Sequence, residues 1–377
     1  MIKDTEKKPR IIFISRAYPP VVGGIENQNY ELSQSLPLHA EVYTIANTRG
    51  RKFLPLFAPY ALIKALFLFR KYDAVLLGDG VLSIVGWFLK IFYKNKPVLS
   101  VVHGLDINYD SSSLDVYFEK LLVKAYQTLW VKVFIPKLDK LIAVGNTVIQ
   151  VGLEAGIPEE KFIFVPNGVN PDTFIADYSR KDLERITNIN LEGRKVILTL
   201  GRLAKRKGVA WFVANVMPKL DKNIFYFIAG DGVDKENIKR AILENNLENR
   251  VKMFSGVSDE DKKILYNTVD LFVQPNITVK GDMEGFGLVV LEAASCERVV
   301  LASELEGLKD AIVNGKNGFL AESKNAEQYA KKISALMLND SIRAQFGKQA
   351  REYVKENLSW EKISKKYVEI TKEIIKK

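Results

Sequence analysis

Short β-branched and aromatic runs alternate with helix-length stretches along this chain, and the pattern occurs twice. Runs at 10–15, 41–45, 74–78, 98–103, 140–144 and 162–165 read as strands, with helices at 25–36, 60–70, 81–93 and from 114 to about 134. Strands that alternate with helices build parallel sheets, because a parallel return needs a crossover connection of helical length. The turn Pro166-Asn167-Gly168 closes the first series. The second resumes after Gly193, with strands at 195–200, 224–229, 251–255, 271–274 and 299–302, and helices at 209–220, 234–245, 259–268 and 287–294. Further helices follow at 325–339 and 341–357. A chain of 377 residues exceeds one ordinary core. The expected division is 1–170 as a first α/β domain and 171–357 as a second. The tail, 358–377, presents Ile363, Tyr367, Ile370 and Ile374 on one helical face, and it is expected to cross back onto the first domain.

Charge narrows the partner. Lys and Arg number 55 against 45 Asp and Glu, a net +10 that favours an anionic ligand or surface, although it also fits a generic basic exterior. No nucleic-acid-binding motif is present, so no nucleic-acid partner is expected. The single Cys296 rules out an internal disulfide and reads as a packed thiol. Two histidines, His39 and His103, cannot make a metal cluster without carboxylate help, and His39 reads as merely exposed. The charged start does not look like a secretion signal. The most apolar stretch, 53–69, is broken by Pro55, Pro59 and Lys64, so no transmembrane helix and a cytoplasmic protein are expected.

Candidate chemistry gathers at the ends of strands, the edge where open parallel sheets bind ligands. Glu284-Gly285-Phe286-Gly287-Leu288-Val289-Val290-Leu291-Glu292 sets two carboxylates, with seven residues between them, around a Gly-rich turn and an apolar helix start. Backbone N–H groups from Gly285 to Leu288 can cradle a diphosphate while the carboxylates grip hydroxyls. Gly201-Arg202 and Lys205-Arg206-Lys207-Gly208 follow the strand 195–200. Arg forks onto phosphate oxygens and Lys supplies a mobile charge, though a solvated basic loop would look the same. Gly230-Asp231-Gly232 ends the next strand, where glycines permit either close ligand approach or an ordinary turn. Val257 is placed under a nucleotide base. Asp259-Glu260-Asp261 has the spacing of a metal-binding Asp-x-Asp, but behind Ser258 it reads as a helix start.

In the first half, Tyr18-Pro19-Pro20-Val21-Val22-Gly23-Gly24-Ile25-Glu26 joins strand to helix, and Gly23 and Gly24 allow a phosphate or sugar to approach the helix N-terminus. The strict Gly-x-Gly-x-x-Gly fingerprint is missing, which disfavours a nicotinamide cofactor. His103-Gly104-Leu105-Asp106 ends a strand; His103 can hydrogen-bond a sugar or departing phosphate, with Asp106 orienting it. Phe53, Phe57, Tyr60, Phe67 and Phe69 lie between Arg49-Gly50-Arg51-Lys52 and Arg70-Lys71, with Tyr72 just beyond. Trp87, Phe88 and Phe92 precede Lys94 and Lys96 in a similar way. Such regions suit an anionic bilayer surface, and equally suit helices packed on the first sheet.

Together these segments resemble the retaining glycosyltransferases of the GT-B fold, family 4. The resemblance runs through Pro20–Glu26, the segment from His103 to Asp106, Pro166-Asn167-Gly168-Val169, Gly201-Arg202 with Lys207-Gly208, Gly230-Asp231-Gly232 and, above all, 284–292. It implies two Rossmann-like doubly wound domains with a cleft between them. The second would hold a nucleotide-diphosphate sugar and the first an acceptor. It further implies that Arg202 and Lys207 bind the diphosphate, Glu284 the sugar hydroxyls and Glu292 the ribose. Gly201, Gly230, Val257, Gly285, Phe286, Gly287 and Leu288 would line the donor, Gly23 and Gly24 would complete its phosphate side, and His103 would lie near its sugar. No cofactor and no obligatory metal are implied. The lead-in from Asn276 to Glu284 is similar to that of bacterial mannosyltransferases acting on phosphoinositide lipids, which suggests GDP-mannose, while UDP-hexose donors fit much the same loop. The stretch Ser295-Cys296-Glu297-Arg298 departs from the Gly many relatives carry there. The expected acceptor is lipid-linked or a polysaccharide precursor, at the inner face of the cell membrane. A sugar-nucleotide 2-epimerase and a non-catalytic membrane- or glycan-binding module are the alternatives on the same scaffold.

Overall fold

β1 (Arg10–Ser15), β2 (Glu41–Ala46), β3 (Ala74–Leu77), β4 (Val98–Val102), β5 (Lys140–Ala143) and β6 (Phe162–Phe164) pair in the order β2-β1-β3-β4-β5-β6. β7 (Lys195–Leu200), β8 (Ile224–Ala229), β9 (Val251–Phe254), β10 (Leu271–Gln274), β11 (Val300–Ser303) and β12 (Phe319–Ala321) pair in the order β12-β11-β10-β7-β8-β9. Every pairing is parallel. Central strands such as Val98–Val102 and Ile224–Ala229 are buried throughout, which is why they read as continuous apolar runs rather than as alternation. The computed structural model describes residues 7–21, 23–103, 125 and 128–376.

The chain divides into two units, Met1–Gly168 with Trp360–Lys377, and Val169–Ser359. Each unit holds one sheet. The C-terminal helix Trp360–Ile375 belongs to the first, burying Trp360, Ile363, Tyr367, Val368 and Thr371 against the helix Gly24–Ser35 and the turn that follows it. His39, expected to be merely exposed, is half-buried, and its Nε2 lies 3.0 Å from the carbonyl of Glu361 in that helix. Among the described residues no helix is long and apolar enough to cross a membrane.

Several elements differ from the sequence reading. The helix expected at 60–70 runs Leu54–Leu68 and passes through Pro59. Pro55 sits in its first turn, where a missing N–H costs nothing. The buried stripe Phe57, Ala61 and Ala65 binds the whole length to the sheet. Lys96, read as part of a cationic fence, instead caps this helix's far end, its ammonium donating to the carbonyls of Phe69 (2.5 Å), Tyr72 (2.7 Å) and Arg70 (3.2 Å). The helices Asn146–Glu154 and Arg180–Thr187 and the three-residue β12 lie outside the sequence reading. The helix expected at 114–134 falls mostly outside the described residues, as do Val22 and Gly104, Leu105 and Asp106.

Candidate active site

In the second sheet the chain starts at β7, runs outward through β8 and β9, and returns to β10 on the other side. The order therefore reverses between β7 and β10, and the crevice beyond the carboxyl ends of those strands is where such sheets bind ligands. β7 delivers Gly201 and Arg202 there, and β10 delivers Pro275 and Asn276. The turn Lys205–Lys207 is held against the second of these. Gly208 adopts φ +67°, and a Cβ on it would lie 1.9 Å from the Pro275 carbonyl, so only glycine lets the two backbones meet. The Ile277 N–H donates to the Arg206 carbonyl at 2.8 Å, closing the contact.

The consequence is a buried ionic cluster. Lys207 Nζ lies 2.5 Å from Glu284 Oε2, with both side chains about 10% exposed. Asn276 Nδ2 donates to the same oxygen at 3.1 Å, and Gln274 Nε2 donates to Asn276 Oδ1 at 2.6 Å. The hydroxyls of Ser303 and Ser323 both donate to the Asn276 carbonyl and fix its backbone. Arg206, also buried, pairs with Asp282 at 3.1 Å, and its Nε lies 3.7 Å from Glu284. Burial alone would push the Glu284 carboxyl up, but the Lys207 and Arg206 cations outweigh it and hold the group below its ordinary value. Glu306, in a left-handed conformation, accepts the Glu284 N–H at 2.6 Å, while the Gly307 N–H donates to the Glu284 carbonyl at 3.1 Å. Burial pushes the Glu306 carboxyl above its ordinary value.

Beyond Glu284 the chain makes a sharp turn. Gly287 has φ +89° and begins the helix Leu288–Ser295, and a Cβ there would sit 2.6 Å from Leu308. Phe286 points its ring into the core of this unit. The N–H groups of Gly285, Phe286 and Gly287, three successive amides at a helix start, donate to no described residue; Phe286 and Gly287 are buried, Gly285 half-buried. Glu292 lies one turn into the helix, half-buried, and accepts from the Tyr266 hydroxyl at 2.7 Å. Burial raises its carboxyl; the Tyr266 bond and then the Lys262 and Lys207 charges oppose that rise.

The remaining site candidates are less tightly drawn in. Arg202 is exposed and pairs with no described residue. Gly230 packs on the Gly201 carbonyl, which gives it a backbone-packing role. Asp231 ties the loops together by accepting the Gly256 N–H at 3.1 Å, beside Val257, which packs on the core. Ser258 and Asp261 form a reciprocal capping box, so the acidic triplet starts a helix. In the first unit, Gly23 leaves room for the Glu26 carboxylate, while Gly24 faces open space. His103 is buried, with Nε2 3.2 Å from the Gly78 carbonyl; its proposed partner Asp106 lies outside the described residues. Sequence reasoning passed over Arg206, Asn276 and Glu306. Arg206 stood in a basic run whose inward face depends on the turn. Asn276 sat in the lead-in without a role. Glu306 carried no signal, because its link to Glu284 spans 22 positions.

Two parallel sheets, each in its own unit, with this cluster at the reversal of the second, fit the GT-B architecture. Residues 180–353 match the family described as Glycosyl transferases group 1, and residues 22–173 match Glycosyltransferase Family 4. The chain matches each over part of its length, and it is a glycosyltransferase. It is 27% identical over 301 residues to an uncharacterized glycosyltransferase of Methanocaldococcus jannaschii, covering 76% of this chain and 71% of that one. It is 26% identical to the N,N'-diacetylbacillosaminyl-diphospho-undecaprenol alpha-1,3-N-acetylgalactosaminyltransferase of Campylobacter jejuni, over 74% of this chain and 70% of that one. The crystal structure of Anabaena Alr3699/HepE in complex with UDP superposes with a TM-score of 0.71 at 18% identity, covering 97% of this chain and 100% of the other.

Proposed function

We propose that the enzyme moves a hexose from a nucleotide-diphosphate sugar, GDP-mannose or a UDP-hexose, to a lipid-linked or polysaccharide-precursor acceptor at a membrane surface, with retention of configuration. The observation that carries the donor half is the Lys207–Glu284 pair beside three unengaged amides at the sheet reversal. A diphosphate entering there meets Lys207, Arg202 and the amides of Gly285, Phe286 and Gly287. Positive charge is then aimed where negative charge develops as the nucleoside diphosphate departs. Drawn toward phosphate, Lys207 releases Glu284 Oε2 to accept from sugar hydroxyls, with Asn276 still orienting it. Glu292 accepts from the ribose. No divalent ion is given a role. His103 of the first unit serves the transferred sugar.

Two features support the acceptor half: the outward aromatic stripe on the first unit, and the diphospho-undecaprenol named for the Campylobacter jejuni relative. A panel of nucleotide-sugars scored by thermal shift tests the donor. A true donor stabilises by mass action, about 2.7 kcal/mol at a hundred times its Kd. A GDP- or UDP-sugar is expected to raise the melting temperature, and Lys207→Ala to remove most of that rise. An equal shift in the variant contradicts the role given to Lys207.

A further inference from the structure

A cavity of about 360 Å³ opens beside the carboxyl end of β2, between the loop that leaves it and the helix Leu54–Leu68. The volume falls within the range of about 300–1,000 Å³ typical of small-ligand pockets. Its walls are apolar on one side and polar on the other: Phe53, Leu56, Phe57 and Tyr60 on the helix side, faced by Asn47, Thr48 and Arg49 from the loop. The loop is built rather than slack. Buried Asn47 donates to the carbonyls of Gly50 (2.9 Å) and Arg16 (3.2 Å) and accepts the Arg49 N–H at 3.1 Å. The Arg49 guanidinium sits 5.6 Å from the centre of the Phe53 ring, at the cavity's edge.

The cavity does not end at its rim. Leu56 is 71% exposed and Tyr60 52%, and the same helical stripe continues through Ile63 (56%) to Phe67 (73%). These positions, at i, i+4, i+7 and i+11, lie on one side of the helix. Cations stand at both ends, Arg49 and Lys52 near the cavity and Arg70 and Lys71 beyond the helix. A second copy of the chain docking here would set cation against cation whichever way the helices ran. A molecule with an anionic head and a long apolar tail matches both the charge and the stripe.

We propose that this cavity is the binding site for a phosphate-bearing lipid, its head at Arg49 and the first segment of its tail between Phe53, Leu56, Phe57 and Tyr60, with the rest lying along the stripe toward Phe67. The proposal rests on the lipid-acceptor reading given above and adds the place where the lipid is held.

The probe is geranyl phosphate below its micellar concentration, titrated calorimetrically into the full chain, with inorganic phosphate and geraniol as arms. Geranyl phosphate is expected to bind about tenfold or more tightly than either arm, since both head and tail contribute. Leu56→Asp and Arg49→Glu are each expected to weaken it by about tenfold or more. Both residues are exposed, and an unchanged donor-induced thermal shift in each variant shows that the fold survives. Equal binding of inorganic phosphate and geranyl phosphate overturns the proposal, as does wild-type affinity in Leu56→Asp. Sedimentation that shows a dimer lost in Leu56→Asp also overturns it, because the stripe then covers a second copy. If geranyl phosphate fails to bind while sugar still reaches lipid-linked acceptors, the cavity assignment falls and the functional reading stands. If it binds while no lipid-linked acceptor is used, the cavity stands and the acceptor reading falls.

Discussion

In the second unit the charges turn inward; in the first the aromatics turn outward. Lys207, Arg206 and Glu284 are buried at the end of a parallel sheet, and with Asp282 their charges balance. The first unit is built on a sheet of the same kind, yet it exposes Tyr30, Phe53, Tyr60, Phe67, Phe88, Phe92 and Phe164. The second exposes aliphatics such as Val233, Leu243 and Leu338, and no large aromatic among the described residues. The architecture thus leaves the use of each surface open. Charge kept out of water is expensive, so the inward cluster exists only where partners are supplied, and the proposed donor diphosphate would exchange with one of them. Exposed aromatics are costly in another way, and a whole stripe of them beside cations points to something apolar and anionic that covers it.

The contrast can be broken most sharply at Lys207. Lys207→Ala leaves Glu284 buried without its nearest cation, and removing one partner of a buried pair costs about 3–5 kcal/mol. Urea unfolding should show that loss. The pair also gives the loss a pH signature. Because the folded Glu284 carboxyl lies below its ordinary value, its stabilisation is present above the unfolded value, about 4.3, and is lost as the pH falls through the lower folded value. The stability gap between wild type and Lys207→Ala should therefore narrow on acidification below about pH 4. A gap that stays constant would mean the pair is not what holds Glu284 charged.

A smaller effect is expected at Gly287. Alanine there must adopt φ +89° and meet Leu308, which costs about 1–2 kcal/mol for the left-handed backbone alone. The same change should weaken the donor-induced thermal shift, since it displaces the free amides; a variant with full stability and a full shift would show the turn to be permissive. Ser258→Ala removes the capping box and is expected to lower stability by about 1 kcal/mol in urea unfolding. The smallest stability change belongs to the outward face. Leu56→Asp combined with Phe67→Asp should shift stability by only about 0.5 kcal/mol at each site, yet abolish flotation with anionic vesicles. Retention of the double variant on those vesicles would defeat the membrane-facing reading and, with it, this half of the contrast.

Much of this was legible beforehand where a local rule acts alone. β1, β7, β8 and β10 fall on the residues their apolar runs indicated, because a strand buried on both faces is mostly apolar. The Ser258–Asp261 capping box is a four-residue event and could be read from four residues. The outer stripe was half legible. Its aromatics were visible, but Phe57 and Phe69 prove to be core, while Phe53 is exposed and Leu56, Tyr60, Ile63 and Phe67 form the outward face. The split depends on where the helix begins, and Pro55 and Pro59 had hidden that.

By itself, then, the sequence determined the alternation, hence two parallel sheets and the strand ends at which ligands bind, together with the Gly-rich turn between Glu284 and Glu292. Tertiary structure alone decided which cation turns inward. Arg206 and Lys207 do so and Arg202 does not, because Gly208 seats their turn against Pro275 while Arg202 is left in water. It also brought Glu306 to the Glu284 amide. Such pairings join distant segments, and their strength comes from burial, a property that exists only once the surrounding chain has closed over them.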